Sequence, residues 1–258
     1  MLASGGLGID TTIVRSGTKK YQIEEPGGSH DCWRCPAAAP RLVGDAGTSG
    51  DPLLDELREL AVDSPSRARV AGWEYLRELS RKDDRAAISA LFARGLPPGE
   101  IDGKLEGLIV GRLFGVPETV LANPLISINP TWMGKTFDIA SGTGFNRLIP
   151  LARYAMRVVA PAYNGLRRVG DAMEGFPFDY APGTGLIEPR IPVIALDYGV
   201  PKYRNPSLRT FPIKRTRDEF VELLPGLYLG RALLTMRGGE IRTIAHFALR
   251  EPVAGLQA

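Results

Sequence analysis

Arg217, Glu219, Tyr228 and His246 bring two charges, a phenol and a titratable ring into one C-terminal stretch of β-forming sequence. The run Thr216-Arg217-Asp218-Glu219-Phe220-Val221-Glu222-Leu223 reads as a strand. If Val221 and Leu223 point inward, the two-residue period takes Arg217 and Glu219 with them. An opposite-charge pair would then stand beside an apolar lumen, and buried charges kept in this way mark candidate functional sites. If Phe220 points inward instead, Asp218 and Glu222 accompany it and Arg217 faces water. The pattern permits both. His246 lies opposite Arg231 in the expected pairing, and that cation disfavours the imidazolium. A neutral imidazole beside a guanidinium could hold a carboxylate or enolate oxygen. With Tyr228, these residues form a candidate catalytic set that would polarise one oxygen of a bound substrate. The plainer alternative is a solvated sheet face with ordinary cross-strand ion pairs.

A second group suits binding. Trp132-Met133-Gly134-Lys135 supplies a bulky anchor, a flexible glycine and a cation, and Asp197-Tyr198 ends a predicted strand over Ile191–Tyr198. Ala232, Leu234, Ala245 and Phe247 complete the candidate ligand-binding residues. They come from the clearest element of the chain, a β-hairpin of Leu227 to Arg237, a Gly238-Gly239 turn, and Glu240 to Arg250. With Arg237 opposite Glu240, Leu234 meets Thr243, Ala232 meets Ala245, Gly230 meets Phe247 and Tyr228 meets Leu249. That face is apolar with a small-residue centre, which either accepts a close-packed helix or leaves room for a ligand. The other face pairs Leu233 with Ile244, Thr235 with Arg242 and Arg231 with His246.

Familiar signatures are absent. Gly103-Lys104-Leu105-Glu106-Gly107 and Ser141-Gly142-Thr143-Gly144 lack the context of a phosphate loop, and no G-x-S-x-G elbow occurs. Cys32 and Cys35, preceded by His30, could form a redox pair or half of a zinc site, but no further ligands complete it. Neither a metal site nor a cofactor is expected.

The elements that must position these residues are legible in outline. Residues 1–50 hold nine glycines and three prolines without periodicity, a composition that predicts a disordered leader. Residues 51–96 predict a small helical cap. Asp51-Pro52 and Ser64-Pro65 are helix starts, and a third helix runs from Asp84 to Arg94. From 97 to 258 the chain predicts an antiparallel barrel, with strands over Leu105–Phe114, Leu125–Phe137, Ile191–Tyr198 and Phe211–Leu224, closed by the hairpin. One helix is inserted at Leu148–Val169, kinked at Pro161 and striped with Arg153, Arg157 and Arg168. A basic amphipathic helix could touch a membrane, or pack on the barrel with its arginines in water.

Glycine-punctuated strands, the early Trp132 and the closing hairpin resemble the lipocalin-like, or calycin, barrels over residues 100–250. The G-x-W opening of that superfamily is not reproduced, because Pro130 stands at its glycine. The resemblance implies a cup-shaped sheet closed over an apolar ligand. Arg217-Asp218-Glu219 through Pro225-Gly226-Leu227-Tyr228-Leu229-Gly230 also resembles an element of uncharacterised bacterial and fungal proteins, and implies no activity.

The expected fold class is therefore α+β, mainly β. The expected function is binding of an apolar small molecule in the barrel lumen. The alternative is a cyclase or isomerase acting on a polyketide-like or conjugated substrate in the same barrel. Lys and Arg number 32 against 29 Asp and Glu, too small an excess to imply nucleic acid. No run approaches the ~20 apolar residues of a membrane-spanning helix, and no secretory signal opens the chain, so a cytoplasmic location is expected.

Overall fold

Asp51 starts the first helix as its spacing predicts. Its Oδ1 accepts hydrogen bonds from the amides of Leu53 (3.1 Å) and Leu54 (3.3 Å), and Pro52 takes the first helical position, where a missing N–H costs nothing. The computed structural model describes residues 51–115, 131–207 and 212–253. The leader with Cys32 and Cys35, positions 125–130 of one expected strand and Phe211 of another lie outside the described residues. Helices α1 (Pro52–Asp63), α2 (Pro65–Lys82) and α3 (Arg85–Ala93) follow the predicted pattern; Asp84 caps α3 through the Ala87 amide, whereas the Ser64 side chain makes no capping bond.

Eight strands close an antiparallel barrel. They are β1 (Gly103–Val110), β2 (Trp132–Asp138), β3 (Thr143–Leu148), β5 (Ala172–Thr184), β6 (Pro192–Asp197), β7 (Thr216–Leu224), β8 (Leu227–Thr235) and β9 (Ile241–Arg250). Each pairs with the next in this order, and β9 returns to β1. A short β4 (Arg167–Val169) flanks the first part of β5. Closure leaves two buried surfaces. Inside, Leu105, Phe137, Phe178, Leu196, Phe220, Tyr228 and Phe247 share one core. Outside, Val193, Val221, Leu223, Leu229 and Ala248 share a second core with Leu54, Leu57, Trp73, Leu76, Ile88 and Phe92 of the helices. The three helices thus lie against the side wall, where the outer face of β7 and β8 is apolar, and not over a barrel end. Arg58 fastens them there, donating from Nε to the Leu223 carbonyl (2.9 Å) and from Nη2 to that of Arg94 (2.8 Å).

The lumen is filled by rings lying over glycines. Phe247 covers Gly230, and a Cβ there would sit 2.3 Å from its ring; Trp132 covers Gly107, where a Cβ would meet the indole at 2.6 Å. The rings contact one another edge-on, as in the Phe137–Phe178, Phe137–Phe220 and Trp132–Phe247 pairs, at centroid separations of 5.6, 5.9 and 5.8 Å.

Several expectations need correction. The hairpin pairs as expected from Tyr228–Leu249 to Ala232–Ala245, including Arg231 opposite His246. A bulge after Ala232 then moves the register by one, so Leu233 meets Thr243 and Leu234 meets Arg242. The turn accordingly holds three residues: the Met236 amide donates to the Glu240 carbonyl (2.7 Å), and Gly239 takes φ of +84°. The inserted helix, here α4, spans only Ala152–Val159. Pro161 has no amide to continue it, and the chain turns back into β4. β3 and β5 carried no clear strand signal. β5 contains Gly175, Pro177, Pro182 and Gly183; a bulge at Phe176, whose φ is +48°, accommodates the first two.

Gly230→Ala is expected to lower stability by about 1–3 kcal/mol, because the added methyl overlaps the Phe247 ring. Urea denaturation should show the loss, and Gly230→Ala combined with Phe247→Leu should recover much of it.

Candidate functional site

Lys135 sits in the middle of β2 on the lumen side and is 1% exposed. Its Nζ donates to three oxygens: Asn146 Oδ1 at 2.9 Å, Tyr198 Oη at 2.6 Å and Asp218 Oδ2 at 2.8 Å. Those acceptors come from three other strands or their ends. Asn146 pairs directly with Lys135 across β2 and β3, Tyr198 follows β6, and Asp218 enters from β7. The remaining donors are also used. Tyr198 donates to Asp218 Oδ2 (2.8 Å), Trp132 Nε1 to Asn146 Oδ1 (3.0 Å), and Asn146 Nδ2 to Tyr198 Oη (3.1 Å) and the Phe176 carbonyl (3.2 Å). Around this polar knot stand four rings, those of Trp132, Phe178, Tyr198 and Phe247, with centroids 5.2–5.5 Å from Nζ. Four aromatic faces and a carboxylate together hold a cation where water is excluded.

Burial drives the protonation of this cluster. Removal from water lowers the Lys135 pKa, and the Asp218 carboxylate opposes that shift. Desolvation, reinforced by the Asp218 charge, pushes the Tyr198 phenol well above its ordinary range, so it remains a proton donor. Chemically, an ammonium and a phenol converge on one carboxylate in an apolar chamber. Such a group can hold an oxygen that gains negative charge, or pass a proton among its members. Beside it, Asp218 pairs across the sheet with Ala232, and Ala232 with Ala245. The small-residue centre of the hairpin face therefore lies next to the carboxylate.

Of the expected ligand-binding residues, Trp132, Lys135, Tyr198 and Phe247 converge here. Ala232 and Ala245 share their layer with Asp218, and Leu234 is buried near the hairpin end of β8. Tyr228 is also in the lumen, edge-on against Phe220 at 5.6 Å, and burial raises its pKa. The second reading of the Thr216–Leu223 strand is realised: Phe220 points inward with Asp218. Arg217 and Glu219 are therefore turned away from the lumen, and so is His246. Sequence reasoning missed Asn146, because β3 gave no strand pattern to place it.

Glu219, with 0% exposure, organises a separate cluster on the outer wall. Its Oε2 accepts from Arg231 Nε (3.1 Å) and Nη2 (2.9 Å); its Oε1 accepts from Arg217 Nε (3.0 Å) and the Leu186 amide (2.7 Å). Arg231 also pairs with Glu188 and lies over the Phe92 ring of α3 at 4.4 Å. These contacts fasten the loop between β5 and β6, and α3, to the wall. A cavity of about 130 Å³ remains there, lined by residues that include Ser89, Glu188, Arg231, Thr243 and His246. Desolvation, helped by Arg231, depresses the His246 pKa to about 4, and its buried Nδ1 has no hydrogen-bond partner among the described residues.

Comparisons with protein-family models, curated proteins and solved structures gave no match. Among the described residues no group of three or more His, Cys, Asp or Glu side chains is placed to hold a metal ion.

Lys135→Met should cost about 3–5 kcal/mol in chemical denaturation, since it strands the Asp218 carboxylate in an apolar chamber; adding Asp218→Leu should restore most of that. For His246, the unfolded chain binds a proton near 6.5 and the folded chain only near 4. Between those values folding must release the proton, so stability falls as pH drops across the window and levels off below it. The loss attributable to His246 is up to about 3 kcal/mol. It should vanish in His246→Gln when denaturation midpoints are compared from pH 7 to pH 4.

Proposed function

We propose that the barrel binds an apolar small molecule in its lumen, in the manner of a lipocalin-like protein. The Lys135–Tyr198–Asp218 cluster would anchor an oxygen of that ligand. The observation carrying this reading is the buried ammonium of Lys135 among four aromatic rings. A barrel interior closes well with apolar side chains alone, so a desolvated cation with a single counter-charge has a role beyond packing. A carbonyl or carboxylate oxygen could replace Asn146 Oδ1 or Asp218 at the ammonium and receive the Tyr198 proton in a hydrogen bond. The walls would supply the apolar contact. Rings occupy the lumen beside the cluster, so entry requires them to swing aside. Trp132, half-buried at the start of β2, is the natural one to move.

The alternative is a cyclase or isomerase acting on a conjugated or polyketide-like substrate. It is favoured by one specific feature, a phenol and an ammonium that both touch Asp218 Oδ2. The ammonium and phenol would stabilise an enolate oxygen while the carboxylate takes up or returns a proton. In this form the reaction rests on Lys135, Tyr198 and Asp218, not on Arg217, Glu219 and His246.

Native mass spectrometry of protein purified from its own host is expected to show a retained apolar molecule, lost or reduced in Trp132→Ala. Tyr198→Phe removes one hydroxyl and keeps the ring. In a carrier it should weaken retention with no change in the mass of the molecule. In an enzyme, conversion of the retained molecule on incubation should stop while retention persists. Absence of any retained molecule, together with unchanged uptake of a neutral fluorescent apolar probe in Trp132→Ala, would overturn both readings.

A further inference from the structure

The helix α4 has two apolar faces, and among the described residues only one is covered. Ala152, Met156 and Ala160, spaced by four, pack into the inner core beside Leu148 and Met173. On the other side Leu151, Tyr154 and Val158, spaced by three and four, stand in solvent at 56%, 52% and 83% exposure. Single exposed apolar residues are ordinary on any surface. Three on one face within two helical turns form a patch, and they are three of the nine large hydrophobics exposed among the described residues.

Along the helix and the segment that follows it, the sequence carries charge of one sign. From Ile149 to Gly170 the chain carries four arginines, Arg153, Arg157, Arg167 and Arg168, and no Asp, Glu or Lys. Arg153 and Arg157 flank the patch, with guanidinium carbons 4.8 and 5.9 Å from the Tyr154 ring centroid. Both are exposed, and among the described residues neither guanidinium meets a carboxylate. An aliphatic pair, an amphipathic phenol and long cationic side chains around them suit an interface that is apolar within and anionic at its rim. The partner must offer both properties over a surface broad enough for two helical turns; Arg167 of the following strand is already paired with Glu174 at 2.9 Å.

We propose that the exposed face of α4 docks on an anionic lipid surface, with Leu151, Tyr154 and Val158 entering the headgroup boundary and Arg153 and Arg157 meeting lipid phosphates. The surface of a bilayer is meant here; among the described residues no helix is long and apolar enough to cross one. The two arginines are attracted to a negative leaflet. The three side chains add burial of partly exposed apolar area. The inference does not depend on the lumen reading, because every residue it uses faces away from the barrel.

Flotation of the full-length protein with vesicles tests it directly. Binding is expected to vesicles of phosphatidylcholine with about three parts in ten phosphatidylserine, and to weaken with salt as surface charge is screened. Pure phosphatidylcholine should bind at least about tenfold less. Leu151→Ser with Val158→Ser, and separately Arg153→Glu with Arg157→Glu, should each reduce binding about tenfold or more. Because these side chains are exposed, both variants should keep the thermal midpoint of the parent; circular dichroism checks this. Equal binding to neutral and anionic vesicles, parent-like binding by both double variants, or binding to heparin without binding to vesicles would each overturn the proposal. The last outcome would point to an acidic macromolecule instead.

Discussion

Asp218 and Glu219 are neighbours on one strand, and both are buried. They can coexist only because β7 has two dry faces, each with its own cation. Alternation sends Asp218 into the lumen, where Lys135 of β2 meets it, and Glu219 to the outer wall, where Arg231 of β8 grips it with two nitrogens. Each carboxylate would be untenable without its partner, and each partner comes from a different strand. The barrel must therefore close in one register for both to be satisfied. A slip of one residue would bring Glu219 to Lys135 and Asp218 to the helices, where its shorter side chain could not span to Arg231 and Leu186. The cluster proposed to bind and the cluster that fastens the outer layers depend on the same pleat.

This division explains how much was legible. Helices α1 to α3 were readable because capping residues, proline and three- to four-residue spacing all agree in the first forty or so described positions. The hairpin was readable because its glycine pair and alternating residues agree as well. Lys135, Tyr198, Trp132 and Phe247 were singled out as binding residues, and they do converge. The face of β7 was not legible. Both faces of that strand are buried, one by aromatic side chains and the other by helices, so no polar alternation distinguishes them. Phe220 and Val221 are equally plausible as inward residues until the partners are known. β3 and β5 escaped notice because glycine and proline interrupt them, and the side chains that cover Gly144 and Gly175, Phe178 and Leu166, come from elsewhere in the sequence. The hairpin turn differed by one residue since the bulge after Ala232 leaves no mark in composition.

The two sites also differ in what they ask of their surroundings. Glu219 receives four hydrogen bonds from three residues and joins wall, loop and α3; its role is complete within the fold. His246, opposite Arg231, is kept neutral by the same arrangement. The Lys135 cluster joins only strands and strand ends that closure already brings together. It adds charge where the rings alone would fill the space, and that surplus is why it is the better candidate for chemistry with a ligand.

Phe176 gives the fold one further property. Its amide donates to Tyr163 Oη (2.7 Å), in the segment that leaves α4, and its carbonyl accepts from Asn146 of the Lys135 cluster. The ring of Tyr163 stacks on that of Phe176 at 4.9 Å, and together these contacts hold a backbone angle that a phenylalanine seldom adopts. One strained residue is therefore a hinge pin between the end of the barrel and its charged centre. Any coupling across this residue would be reciprocal, each side changing the other by the same factor. Through the two backbone groups of one residue, the segment after α4 and the Lys135 cluster share a single point of contact.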